Sequence, residues 1–222
     1  MTGSGVAAIR SGGCLRINTE VASVLQVQGR DVSERARKPR ADSLRNREQL
    51  LEAAKAAFGA DGADVALEEI ARRAGVGIGT LYRHFPTRDA LMAAVYRREV
   101  EQLSASAERL LAERSAKGGA GAALEAWLHL LVDYMATKRV IAPALQAGGE
   151  EGAQAYASAG PALSGAMERL VQAARAAGDI RPEISPQDLY RMLMGVAFGY
   201  DQPGWEASAR RLIGVIMAGL KP

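Results

Sequence analysis

Apolar and polar positions along this chain repeat with the period of an α-helix over most of its length. From residue 42 an apolar series follows helical spacing and ends where two glycines stop it; the members are Leu44, Leu51, Ala54 and Phe58, followed by Gly59 and Gly62. A second segment, "ALEEIARRAG", places apolar residues on one face and charged residues on the other. These two segments predict two amphipathic helices.

A third, shorter helix is predicted from about Ile78 to Phe85. Leu81 and Phe85 are four residues apart, so they share one side of a helix, and Pro86 stops the helix immediately afterwards. A helix, a glycine-containing turn and a second short helix form the helix-turn-helix arrangement.

The rest of the chain also predicts helices. They are expected at about residues 87–114, 124–138, 142–147, 152–177, 186–199 and 206–220, and Ser185 is the expected N-cap before Pro186 and Asp188. The composition agrees, because only 5% of residues are aromatic while small helix-forming residues abound. We therefore predict an all-α protein with a weakly ordered extension (1–37), a three-helix helix-turn-helix domain (38–86) and a second helical domain (87–222) that begins with a connecting helix (87–114).

Positive charge is concentrated near the start of the chain. The net charge is +3, and residues 30–47 hold seven basic and three acidic side chains, a local excess of four. Such a run favours a polyanionic partner, although a solvated linker has the same composition.

The cysteine content and the hydropathy pattern indicate the cellular compartment in which the protein is expected. Cys14 is the single cysteine, which rules out an internal disulfide and a zinc site of several cysteines. Neither a secretory signal nor a run of about 18 apolar residues is visible. We therefore expect a soluble, cytoplasmic protein with no membrane partner, no metal and no cofactor.

Three glycines at alternate positions, Gly75, Gly77 and Gly79, admit two interpretations. A dinucleotide-binding loop follows a strand and has the spacing G-x-G-x-x-G, whereas these glycines follow a charged amphipathic segment and lack that spacing. In a helix-turn-helix, glycine allows the sharp turn and a close approach of the backbone to DNA. The second interpretation also explains the polar residues that follow, because Leu81 and Phe85 would face inward and leave the others outward.

The stretch "LEEIARRAGVGIGTLYRHFPTRDAL" resembles the DNA-binding signature of the TetR family of transcriptional regulators, and the resemblance extends over about residues 42–103. It implies a helix-turn-helix DNA-binding domain, a helical ligand-binding and dimerisation domain, and a homodimer on double-stranded DNA with a palindromic operator. By this resemblance Thr80, Tyr82, His84 and Arg88 fall at positions that touch DNA, Arg88 on the phosphate backbone. The full set of expected DNA-binding residues is Lys38, Arg40, Gly77, Ile78, Thr80, Tyr82, Arg83, His84 and Arg88.

One position departs from the family pattern. Ala66 stands where the family often has Thr or Ser, and alanine can neither cap the second helix nor donate to a phosphate. Asp64 is the alternative cap.

Residues 104–222 show no catalytic pattern. The chain has two histidines, His84 and His129, and no serine in a nucleophile-elbow setting, so we expect no enzyme. Aromatic and Met residues at helical spacing predict either ordinary core or a cavity for a small, mostly apolar effector. The candidate cavity residues are Trp127, His129, Tyr134 and Met192.

The last two predicted helices carry a small-residue strip and a broad apolar face. We expect them to pair with a second copy of the chain as a four-helix interface. The candidate interface residues are Gly195, Gly199, Leu212, Ile213, Ile216, Met217 and Leu220.

The sequence thus predicts a dimeric, sequence-specific DNA-binding regulator, in the first place a repressor that a small effector releases from its operator. The alternatives are a small helical enzyme that binds a nucleotide at the glycine loop and a helical interaction module without a DNA partner.

Overall fold

Helices form every regular element in the part of the chain that the structure describes. The structure, a computed structural model, describes residues 41–114, 119–197 and 202–222. Within these ranges the helices are α1 (41–61), α2 (Leu67–Arg73), α3 (Ile78–His84), α4 (Arg88–Arg114), α5 (Gly119–Ala147), α6 (Glu150–Ala176), α7 (Pro186–Ala197) and α8 (Trp205–Leu220). The all-α prediction is confirmed.

The chain divides into two compact units, residues 1–45 and residues 46–222. Of the first unit the structure describes only residues 41–45, where Asp42 and Arg45 form an exposed ion pair one helical turn apart. The predicted extension (1–37), Lys38, Arg40 and Gly199 lie outside the described residues, and the predicted domain boundary at residue 86 stays a prediction.

Helix α1 is longer than its glycines suggested. Leu51, Ala54 and Phe58 are buried as predicted, but Leu44 is 70% exposed and does not belong to the core. Gly59 lies inside the helix, and the chain turns at Gly62, whose φ is 88° and whose N–H donates to the carbonyl of Phe58. The positive φ explains why the helix ends at the second glycine and not at the first.

The turn between α2 and α3 depends on Gly75. Its φ is 71°, and the N–H groups of Gly75 and Val76 donate to the carbonyls of Arg72 and Ala71 at 3.1 and 3.0 Å. This pair of hydrogen bonds is the Schellman motif, which satisfies the last carbonyls of a helix and needs a left-handed residue after it. The turn predicted from the sequence is therefore built by one glycine of the three.

Helices α4 to α8 form a bundle in which α4, α5 and α6 pack against one another, α8 packs on α5, and α7 contacts α6 and α8. The separate helices predicted at 124–138 and 142–147 are wrong, because α5 is continuous from Gly119 to Ala147 with Pro143 inside it. Proline removes one helical hydrogen bond, but Ile141 and Leu145 on either side of it are buried and keep the helix docked.

The start of α5 is fixed by the segment that follows α6. The N–H of Gly121 donates to Oδ2 of Asp179 at 2.8 Å, and a Cβ at Gly119 would lie 2.6 Å from the same oxygen. Gly119 and Gly121 therefore let α5 begin against Asp179.

The predicted N-cap of α7 is confirmed. Ser185 Oγ accepts a hydrogen bond from the N–H of Asp188, and the Asp188 carboxylate accepts from the N–H and hydroxyl of Ser185. The Ser185 hydroxyl, ahead of its N–H, holds the pKa of the Asp188 carboxyl below its usual range. No helix in the described ranges is both long enough and apolar enough to span a membrane.

Substituting Gly75 and Gly59 tests the assignment of the turn. We expect Gly75→Ala to lower the free energy of unfolding by about 1–2 kcal/mol, because a Cβ disfavours the left-handed backbone even though it would meet no atom within 4 Å. Gly59→Ala, at a helical position with equally open space, is expected to raise it by about 0.5–1 kcal/mol. Urea denaturation measures both, and a stabilising Gly75→Ala would contradict the assignment.

Candidate nucleic-acid interface and ligand cavity

Helix α3 is anchored by an apolar inner side. Leu81 and Phe85 are buried and Ile78 packs partly buried against the same core, as the sequence predicted. Arg47 of α1 lies over the ring of Phe85, with 5.3 Å between its guanidinium carbon and the ring centroid. The short helix therefore packs against α2, and Arg47 of α1 contacts its C-terminal end, while Tyr82 and Arg83 on the other side are exposed.

The outer side of α3 is formed mainly by Tyr82 and Arg83. Tyr82 is 46% exposed and Arg83 is exposed, whereas Thr80 and His84 are half-buried. The Arg83 side chain lies back along its own helix, donating to the carbonyl of Gly79 at 3.2 Å and to the hydroxyl of Thr80 at 3.1 Å. A phenol and a guanidinium side by side on an exposed helix are suitable groups for contacts to phosphates and base edges.

Gly77 and Gly79 lie on the exposed part of the same helix. Gly77 is the N-cap residue of α3 with φ −72°, and a Cβ on either glycine would meet no atom within 4 Å. The fold itself thus requires glycine at neither position. Their effect is to leave two exposed positions at the start of α3 without side chains.

Arg88 has a structural contact that the sequence did not predict. Its Nη1 donates to the backbone carbonyls of Ala63 and Val65, at 2.9 and 2.7 Å, and so holds the loop between α1 and α2. This nitrogen is occupied inside the domain, and the predicted phosphate contact stays a prediction for the other N–H groups of the side chain.

The start of α2 has no side-chain cap. Ala66 is its N-cap residue, and no side chain accepts a hydrogen bond from the exposed amides, so the expected capping by Asp64 is wrong. Glu69 instead binds Arg72 and Arg73, whose hydrogen bonds, Arg72 first, lower the pKa of its carboxyl to about 2. This carboxylate and the acidic Glu68 in the first turn complement the helix dipole.

Ion pairs join α1 to α4. Arg98, of which only 16% of the side chain is exposed, binds both Glu48 and Glu52, the latter at 2.9 Å. Lys55 binds the buried carboxylate of Glu99 at 2.6 Å. These contacts lie next to an open groove of about 490 Å³ that is lined by α1, α4 and α5.

A more enclosed cavity of about 310 Å³ lies among α4, α5, α6 and α7. Its walls are largely aromatic and apolar, and Lys138 is the charged side chain among its described lining residues. A volume of this size matches sites for small molecules. The residues that shape it most are Tyr96, Trp127, Leu131, Tyr134, Lys138, Tyr156, Met167 and Tyr190.

Two tyrosine hydroxyls meet at the wall of the cavity. The Oη atoms of Tyr96 and Tyr134 are 2.7 Å apart, and the Tyr96 ring stacks on Tyr156 with 5.9 Å between centroids. Burial raises the pKa of both Tyr96 and Tyr134 above the ordinary value of a phenol. Both hydroxyls therefore keep their protons at neutral pH.

The structure brings together two of the four residues predicted for a cavity. Trp127 and Tyr134 line it, although the Trp127 indole N–H is used by the carbonyl of Leu103 at 2.9 Å. His129 and Met192 are not among the lining residues of this cavity; His129 is half-buried and Met192 is 40% exposed, and their part in ligand binding stays a prediction. Met192 lies on the outer side of α7, which the helical period alone did not reveal.

The sequence missed the contributions of Tyr96, Lys138 and Tyr156. Tyr134 and Lys138 are four residues apart, which puts them on one face of a helix, but nothing local indicates that α4 and α6 bring two further tyrosines to that face.

The predicted interface face of α8 is rotated from its expected position. Ile213, Met217 and Leu220 are buried within the chain, so they belong to its own core. The exposed apolar residues are Leu212, at 42%, and Val215, at 67%, with Ile216 half-buried and Gly195 exposed on α7. Fewer apolar residues than expected are therefore exposed on α8, and their contact with a second copy of the chain stays a prediction.

Substituting Arg88 tests whether this residue stabilises the fold or serves only to contact DNA. We expect Arg88→Lys to lower the free energy of unfolding by about 1–3 kcal/mol, because a lysine ammonium cannot readily reproduce the two hydrogen bonds to Ala63 and Val65. Arg83→Lys, on the exposed face, is the matched control and should leave the stability unchanged. Equal stability of both variants in urea denaturation would contradict the structural role.

The comparisons with known proteins agree with this geometry. A family model described as "Bacterial regulatory proteins, tetR family" matches residues 50–95, and one described as "Transcriptional regulator SbtR-like, C-terminal domain" matches residues 119–222. A curated relative, the HTH-type transcriptional regulator SAR0097 of Staphylococcus aureus (strain MRSA252), is 35% identical over 81 residues, a match that spans 36% of this chain and 42% of that protein.

Two solved structures extend the similarity over most of the chain. The TetR transcriptional regulator SCO0520 from Streptomyces coelicolor is 40% identical, with a TM-score of 0.69 over 79% of this chain and 98% of that one. The TetR transcription regulatory protein from Mycobacterium vanbaalenii is 34% identical, with a TM-score of 0.67 over 82% of this chain and 99% of that one. This chain therefore belongs to the TetR family of DNA-binding transcriptional regulators.

Proposed function

We propose that this regulator is a dimeric repressor that binds a palindromic operator through the outer side of α3 and releases it when a small molecule fills the cavity among α4–α7. The observation that carries the proposal is the exposed pair Tyr82 and Arg83 on a short helix whose inner side is buried. In a dimer, two such helices reach successive major grooves only if they are about 34–36 Å apart. The separation of the two α3 helices is then the quantity that a ligand has to change.

One turn of α4 links the cavity to α1. Tyr96 lines the cavity, while Arg98 and Glu99, two and three residues later, hold α1 through Glu48, Glu52 and Lys55. A ligand that displaces the Tyr96 ring therefore moves the same helical turn that holds α1. Since α1 also orients α3 through Arg47 and Phe85, the displacement reaches the DNA-binding surface.

The ligand must bind the two arrangements with different affinity, because only a difference in affinity can shift their populations. The cavity meets this condition if the arrangement that binds DNA leaves less room between Tyr96, Tyr134 and Tyr156.

The enzyme alternative has little support in the described residues. The glycines follow helix α2 and not a strand, so the geometry of a dinucleotide-binding loop is missing there. The described ranges also contain no group of three or more His, Cys, Asp or Glu side chains that could hold a metal ion.

A gel-shift titration at stated salt concentrations, on the DNA upstream of the protein's own coding sequence, tests the DNA-binding surface. We expect Tyr82→Ala and Arg83→Ala to weaken binding by about 1–3 kcal/mol each, because each removes a group that contacts a phosphate or a base. If Arg83 contacts a phosphate, Arg83→Ala also reduces the number of counterions released on binding by about one, which lowers the slope of log K against log salt concentration.

The control for this titration is Arg169→Ala, which removes an equal charge from the exposed surface of α6. Its affinity for DNA should stay at the level of the parent protein. Folded Tyr82→Ala and Arg83→Ala proteins that bind as tightly as the parent would refute the assignment of the surface.

A double-mutant cycle on Lys55 and Glu99 tests the link between α1 and α4. Lys55→Met leaves a buried carboxylate without its partner, so we expect a coupling free energy of about 1–3 kcal/mol between Lys55→Met and Glu99→Met in urea denaturation. Lys55→Met should also weaken operator binding severalfold, although Lys55 is not on α3. The exposed pair Arg109 and Glu113, with 3.9 Å between its charged atoms, is the control and should show neither effect.

A further inference from the structure

We infer that the cavity among α4–α7 selects an anionic amphipathic molecule, one with an aromatic or apolar body and an acid group that binds Lys138. The inference rests on the proposed function in taking this cavity as the regulatory one, and it changes the expected effector from a mostly apolar molecule to an organic acid.

Lys138, at the wall of the cavity, has no counter-ion among the described residues. Its side chain is half-buried, and no carboxylate of the described residues lies within 4.0 Å of its Nζ. The ammonium lies over the ring of Tyr156, 5.1 Å from the centroid. A ring face is a weaker partner for an ammonium than a carboxylate is, so Lys138 stays available to an anionic ligand.

Neither Asp nor Glu is among the described residues that line the cavity. Three acidic residues close to lining residues in the sequence have partners of their own: Asp133 pairs with Arg210, Glu99 with Lys55 and Asp188 with Arg191. An organic cation would therefore meet Lys138 and gain no opposite charge. The charge pattern favours an acid over an amine.

The tyrosine pair offers a second donor. Each phenol has one O–H, and the bond between Tyr96 and Tyr134 uses only one of the two protons. Neither hydroxyl has a further acceptor among the described residues, so one O–H remains for a ligand. Tyr134 and Lys138 are four residues apart on α5, so the hydroxyl pair that includes Tyr134 and the ammonium of Lys138 lie on the same side of that helix.

The remaining walls suit an aromatic or apolar body. The Trp127 indole N–H is already bonded to Leu103, so this side chain presents only its apolar surface to the cavity, together with Leu131, Met135 and Met167. Met side chains adapt to ligands of different outline. The described polar side chains of the wall are thus those of the tyrosines, Lys138 and Ser164, and most of the other lining side chains are apolar.

Two dyes of nearly the same shape test the inference. The anionic probe is 8-anilino-1-naphthalenesulfonate, and the neutral probe is N-phenyl-1-naphthylamine, which has the same rings without the sulfonate. The chain has two tryptophans, so in a Trp205→Phe background Trp127 alone reports binding, by energy transfer to a dye in the cavity. Both dyes are titrated into the full chain, without DNA, at fixed ionic strength.

Lys138→Met should weaken binding of the anionic dye about tenfold and leave the neutral dye unchanged, since it removes the charge and keeps an apolar stem of similar length. Lys138→Arg should retain most of the affinity for the anionic dye. Lys221→Met, which removes an equal charge at an exposed position, should change neither titration. A merely structural role of Lys138 would affect both dyes alike.

The inference is overturned if Lys138→Met binds the anionic dye as well as the parent does, if both dyes weaken together, or if neither dye quenches Trp127. These outcomes are separate from a failure of the proposed function, which is read in the gel shift. If Lys138 governs dye binding while no dye or acid releases the operator, the cavity still binds acids but does not regulate DNA binding.

Discussion

The ion pairs between α1 and α4 are the constraint on which the remaining structure depends. Helix α1 contacts the C-terminal end of α3 through Arg47 and Phe85. Helix α4 continues into the bundle that encloses the cavity. The ion pairs of Arg98 and Glu99 with α1 are therefore the described polar links between α1 and this bundle. The Glu99 carboxylate is buried and one of its oxygens has no partner among the described residues, which makes it costly to separate from Lys55. A buried contact that is only partly satisfied has a free-energy balance that small displacements can change.

The features that the sequence predicted correctly are those determined by neighbours along the chain. The turn at Gly75 needs only the hydrogen bonds of α2 and a positive φ, and the start of α7 needs only Ser185 and Asp188 three residues apart. The inner side of α3 follows from the four-residue spacing of Leu81 and Phe85. Each of these is a local pattern with a local physical cause, so one sequence suffices to find it.

The features that the sequence did not predict depend on elements far apart in the chain. The Arg88 guanidinium binds carbonyls 23 and 25 residues earlier, and the cavity assembles side chains from four helices. The face of α8 was misassigned because a broad apolar stripe does not reveal which part α5 covers. The break predicted between residues 138 and 142 is also absent, because burial of Ile141 and Leu145 on both sides of Pro143 keeps α5 continuous despite one lost hydrogen bond.

The empty space beside Gly77 and Gly79 has an evolutionary consequence. A side chain at either position would touch nothing inside the protein, and the backbone of Gly77 is one that any residue can adopt. A single codon change there would add a new base-reading group without repacking the domain. If α3 reads the operator as proposed, one substitution at Gly77 or Gly79 would therefore change the operator preference without a Cβ clash inside the domain.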